Sequence, residues 1–109
     1  MRVESLWFWD CPTHAEARAL LREVLRENGL LEDSEDIDAT DPAKAEELRF
    51  AGSPSIRING ADVEPGFEEP HGYVPGCRLY RAAGGRLQGT PPREWIAAAV
   101  KAAMDRAVP

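Results

Sequence analysis

The chain contains two cysteines, Cys11 and Cys77, and two histidines, His14 and His71. Cys11 stands where the apolar run Trp7-Phe8-Trp9 ends at Asp10, and Pro12-Thr13-His14 follow it. A sulfur placed there meets the unpaired N–H groups and the partial positive charge of a helix N-terminus. Both favour the thiolate, so Cys11 is expected to act as a nucleophile or a soft-metal ligand at neutral pH. The bland alternative is a small apolar cap packed against Trp9. Ser, Asp or Asn would cap a helix better, which weighs toward the chemical reading. His14 shares a helix face with Cys11 if the helix begins at Pro12. Its imidazolium would favour the thiolate, and its neutral form would accept the thiol proton. Asp10 works the other way, since a neighbouring carboxylate opposes ionisation, although it could carry protons in an exchange reaction.

Cys77 is the only second thiol. It is either a resolving partner for Cys11 or a buried structural cysteine. Two Cys and two His match the ligand count of a zinc site, but only Cys11 and His14 are closely spaced, and structural zinc usually shows two tight pairs. No structural metal is therefore expected. Gly-rich phosphate loops, zincin patterns and Gly-x-Ser-x-Gly elbows are missing from the sequence, so no cofactor is expected either.

The elements that must position these groups follow from periodicity. Val3 to Trp9 reads as a strand buried on both faces, with Trp7 and Trp9 on one side and Phe8 on the other. Pro12 to Asn28 is predicted as a helix, with Pro12 at its first position and Ala17, Leu20, Leu21, Val24 and Leu25 forming one apolar stripe. Asn28-Gly29 stops it. Glu32 to Asp36 reads as a solvated acidic stretch, and Ile37 to Ala39 as a short strand. Asp41 caps a second helix that starts at Pro42 and runs to Leu48 or Arg49. Ser53 to Ile58 is a strand entered through Pro54, and Asn59-Gly60 turns it into Ala61 to Val63. Phe67 to Gly76 is a Gly- and Pro-rich loop holding His71 and Tyr73. Cys77 to Arg81 alternates like a strand and pairs through Gly84-Gly85 with Arg86 to Gln88. The last helix is capped by Thr90, starts at Pro91-Pro92, and carries the stripe Trp95, Ile96, Ala99, Val100, Ala103 and Met104.

At 109 residues the chain suits one domain, residues 1–109, with a single core. Its net charge of −6 argues against a nucleic-acid partner, which would require a basic patch. No apolar run approaches the roughly 20 residues that cross a bilayer. The first ten residues hold Arg2, Glu4 and Asp10 and do not read as a signal peptide, so no membrane association and a cytoplasmic location are expected. Oligomeric state is not legible.

Trp7-Phe8-Trp9-Asp10-Cys11-Pro12-Thr13-His14 and Gly52-Ser53-Pro54-Ser55-Ile56-Arg57-Ile58-Asn59-Gly60, taken with the order of elements, resemble the thioredoxin/glutaredoxin family. The resemblance covers most of the chain. It implies a three-layer α/β/α sandwich around a mixed sheet of about four strands, with a possible extra hairpin near the C-terminal helix. It implies that Cys11 attacks a disulfide, that Pro54 is a cis-proline beside it, and that the Ser53 backbone pairs with a bound peptide or glutathione. Pro12 and Trp9 would line the same place. One departure matters: the fourth position of the family's Cys-x-x-Cys motif is His14. Either Cys77 or external glutathione would then have to resolve a mixed disulfide. Two further readings stay open, a soft-metal or organomercurial-handling protein built on two thiolates, His14 and Asp10, and a binding module with the fold but no catalysis.

Overall fold

The computed structural model describes residues 1–30 and 34–107. Its elements in chain order are β1 (Val3–Trp7), α1 (His14–Glu27), β2 (Glu35–Asp38), α2 (Pro42–Glu47), β3 (Ser55–Ile58), β4 (Ala61–Asp62), β5 (Tyr80–Arg81), β6 (Leu87–Gln88) and α3 (Arg93–Ala107). Four strands form one mixed sheet in the order β2-β1-β3-β4, and β5 and β6 form a separate two-stranded ladder. β1 runs parallel to β2 and antiparallel to β3. The Asn59-Gly60 turn joins β3 to β4 with both residues at positive φ, as a two-residue hairpin of this kind requires.

Alternation along β1 divides the core in two. Val3 points to a cluster with Ala17, Leu21, Val24 and Leu25 of α1, Ile56 and Ile58 of β3, and Ile96, Val100 and Ala103 of α3. Leu6 points the other way, into a smaller cluster with Ala39, Phe50 and Ala45 of α2. The α1 and α3 stripes read from periodicity are the residues that make the first cluster. Trp95 is half-buried and sits outside it, edge-on to Tyr80 with ring centroids 6.0 Å apart.

Several boundaries differ from the sequence reading. β1 stops at Trp7 rather than Trp9, because the chain turns there and the Cys11 N–H donates to the Phe8 carbonyl at 3.1 Å. α1 consequently begins at His14, with Thr13 as N-cap and Pro12 exposed in the preceding turn. Glu32 and Asp33 of the acidic stretch lie outside the described residues. Glu35 and Asp36, read as coil, instead open β2, where Asp36 pairs with Ser5 and binds His14 and Arg18. α3 starts at Arg93, so Thr90 does not cap it. Thr90 and Pro91 each precede a proline, a position that disfavours helical backbone. Asp41 caps α2 as expected, accepting from the Ala43 N–H at 3.1 Å.

Candidate functional site

The β1–β3 register fixes where the chemistry sits. Leu6, next to the last residue of β1, faces Ser55, the first residue of β3. The turn that carries Trp9, Asp10 and Cys11 therefore leaves the sheet beside the start of β3. On the far side of that start, Ser53 forms a parallel bridge with Cys77. The two cysteines thus lie at the same end of the sheet, flanking Ser53-Pro54. Both are free thiols, Cys11 partly buried and Cys77 exposed. Trp9, next to Cys11 in this turn, is 71% exposed.

Cys11 does not occupy the N-cap. It lies two residues before it, and its sulfur is 3.7 Å from Thr13 Oγ1. Thr13 makes no cap hydrogen bond to its own helix. Its hydroxyl donates to the Gly89 carbonyl at 2.8 Å, tying the start of α1 to the segment before α3. A hydroxyl has one proton, so while that bond stands the Cys11 S–H is the donor to Thr13. A thiolate would be met by a Thr13 proton turned away from Gly89. Gly89 is needed here, since a Cβ on it would come within 2.8 Å of Thr13 Cγ2.

His14 is placed differently from the expectation. Its ring stacks on Trp7 with centroids 4.6 Å apart, and Nε2 lies 3.1 Å from Asp36 Oδ1. Its partners are on β1 and β2, and its ring makes no bond to Cys11. His71 is exposed in the loop. Among the described residues no group of three or more His, Cys, Asp or Glu side chains converges to hold a metal ion.

The Ser53–Pro54 peptide is cis. Ser53 and Pro54 are both buried, with Ser53 at 1% exposure. The Ser53 N–H donates to Gly76 and its carbonyl accepts from the Arg78 N–H, at 2.8 and 2.9 Å. The backbone pairing expected for a bound peptide is thus occupied by the chain's own Gly76-Cys77-Arg78 segment. A peptide or glutathione pairing with the Ser53 backbone would have to displace that segment.

Arg78 holds that segment down, a role that the sequence did not suggest. Its side chain, 8% exposed, binds Asp62 at 2.7 Å, Glu64 at 3.2 Å and Ser55 Oγ at 2.9 Å. Its guanidinium lies 4.4 Å from the Tyr80 ring centroid and 5.2 Å from that of Phe67. Burial works against its charge, but the hydrogen bond and charge of Asp62, with Tyr80 beside it and the hydrogen bond to Glu64, outweigh burial and hold its pKa above the ordinary value. Tyr80 donates to the Pro54 carbonyl, and burial pushes its phenol pKa well up. Gly52, at φ +112°, completes the close approach: a Cβ there would lie 2.8 Å from Arg78 Cβ. Alternation in the run after Cys77 is visible in sequence, whereas the pairing with Asp62 across the intervening loop is not.

A cavity of about 410 Å³ lies apart from the thiols, lined among others by Arg49, Arg57, Asp62 and Phe67. Arg57 spends its guanidinium on the Leu48 and Arg49 carbonyls at the end of α2. Compared with known proteins, the chain matches no family model, no curated protein and no solved structure.

Proposed function

We propose that the protein is a thioredoxin-like thiol–disulfide oxidoreductase with Cys11 as the attacking thiol. The observation that carries this reading is the placement of Cys11 and Cys77 at one end of the sheet, on either side of Ser53-Pro54. Support for the thioredoxin-like sandwich comes from the β2-β1-β3-β4 order and from core clusters that join α1 and α3 to one sheet face and α2 to the other.

In this reaction the Cys11 thiolate attacks one sulfur of a substrate disulfide. A Cys11–substrate disulfide forms, and the second substrate sulfur leaves as a thiolate that takes up a proton. A second thiol then attacks the mixed disulfide and releases the reduced substrate. If Cys77 attacks, the protein ends with a Cys11–Cys77 bridge. If glutathione attacks at Cys11, the protein ends glutathionylated, and a further glutathione restores the thiol. Adjacent strand lines lie about 4.8 Å apart, so Cys77 is about two such spacings from the line of β1. A bridge needs Cα atoms within about 7 Å, and the turn after Phe8 must carry Cys11 toward Cys77 to make one. Trp9 offers the substrate an exposed apolar surface. The partner implied is a disulfide-containing protein or glutathione.

The test is intact mass after equilibration in glutathione redox buffers and trapping of free thiols. Loss of two alkylation sites without added glutathione identifies the Cys11–Cys77 bridge, and one glutathione on Cys11 identifies monothiol chemistry. Cys11→Ser should abolish disulfide reduction; retained activity overturns the proposal. One observation favours a second reading, a binding module without catalysis: the Gly76–Arg78 segment fills the Ser53 pairing position. Under that reading Cys11 alkylates no faster than a free thiol near pH 6.

A further inference from the structure

The outer surface of α1 is divided by charge. His14, Arg18, Arg22 and Arg26 recur at every fourth residue and, with Ala15 and Ala19, line a shallow groove of about 350 Å³. The acidic residues Glu23 and Glu27 border the row, and Arg93 of α3 binds both. Neither forms an ion pair with Arg22 or Arg26. His14 and Arg18 meet Asp36 of β2, yet Arg18 Nε remains buried without a partner. Arg22 and Arg26 are exposed and have no ion-pair partner among the described residues. A basic row whose last two arginines are unpaired, on a chain of net charge −6, is a local positive field that attracts anions.

From this groove we infer a docking site for an extended acidic segment of a partner protein. The spacing selects the occupant. Residues four apart on a helix rise about 6 Å, and alternate side chains of an extended peptide lie about 6.6 Å apart. Carboxylates at every second position would therefore meet successive arginines, with the small side chains Ala15 and Ala19 leaving room for the peptide backbone. The site does not depend on the thiol reaction.

The test uses the full chain carrying Cys11→Ser, so that no thiol exchange contributes. A fluorescein-labelled peptide of alternating Glu and Ser is titrated at about 50 mM salt and followed by anisotropy. Saturable binding is expected, weakening as salt rises. Arg22→Ser/Arg26→Ser, at two exposed positions, should weaken it about tenfold. Arg86→Ser/Lys101→Ser removes the same charge elsewhere and should leave it within about twofold. Three results would overturn the proposal: no saturable binding, equal losses in the two double variants, or tighter binding of an oligodeoxythymidine of equal charge or of anionic vesicles than of the peptide.

Discussion

Thr13 and Asp38 show how single side chains set the edges of the site. Thr13 gives its proton to Gly89 rather than to its own helix, so it fastens two segments that are 76 positions apart. Thr13→Val keeps the shape and removes the donor. The expected cost is about 1 kcal/mol in urea denaturation, the usual worth of a half-buried hydrogen bond. Asp38, the last residue of β2 and the register partner of Trp7, accepts from both the Thr40 hydroxyl and the Thr40 N–H. The hydroxyl bond first, then the N–H bond and the charge of Lys44, hold its carboxyl below the ordinary range against a small opposing effect of burial. A lowered carboxyl pKa stabilises the fold above the unfolded value, and that contribution is lost as pH falls through the folded one. Asp38 is exposed, so the effect on stability is small, and carboxyl-detected NMR titration is the suitable measurement. Thr40→Val should raise the Asp38 midpoint part of the way to the ordinary value, because the N–H bond remains.

At the scale of elements, the segment from Cys77 to Tyr80 depends on one buried cation. Asp62 is 3% exposed in its side chain and is bound by both terminal nitrogens of Arg78. Arg78→Met leaves that carboxylate buried without a counter-charge, with only the Glu64 N–H still donating to it, which should cost about 3–5 kcal/mol. The double change Arg78→Met/Asp62→Leu removes both charges and should recover most of the loss in urea denaturation. Amide exchange at Ser53 and at position 78 should accelerate in the single variant, since the Ser53 N–H bond to Gly76 and the position-78 N–H bond to Ser53 both rest on the same clamp. The sequence made the strands and helices legible because each carries its own periodicity or cap, as in the α3 stripe and at Asp41. It did not make legible how the Ser53 backbone is used, because its partners Gly76 and Arg78 lie beyond a loop whose path no local pattern encodes. The start of α1 was misplaced for the same kind of reason. Pro12 reads locally as a first helical residue, and the distant Gly89 carbonyl claims the hydroxyl of Thr13.

The whole molecule is held by contacts of two kinds between α1 and α3, and they should respond very differently to mutation. Arg93 spans to Glu23 and Glu27 at the surface, with side chains between 39% and 54% exposed. One turn further along α3, Ile96 is fully buried among Leu21, Val24 and Ile56. Exposed ion pairs contribute little because water screens them and two long side chains must be ordered. Arg93→Ala should therefore shift stability by less than about 1 kcal/mol, and less still in high salt. Ile96→Ala removes buried methyl groups and leaves a cavity where three elements meet, for an expected loss of about 2–5 kcal/mol that salt does not alter. Comparison of the two variants by urea denaturation at low and high salt separates the contributions. It also bears on the basic row of α1. If Arg93→Ala leaves stability nearly unchanged, the ion pairs on that flank chiefly keep Glu23 and Glu27 away from Arg22 and Arg26. In that variant the freed carboxylates should compete with an acidic peptide, and peptide binding should weaken while the fold stays intact.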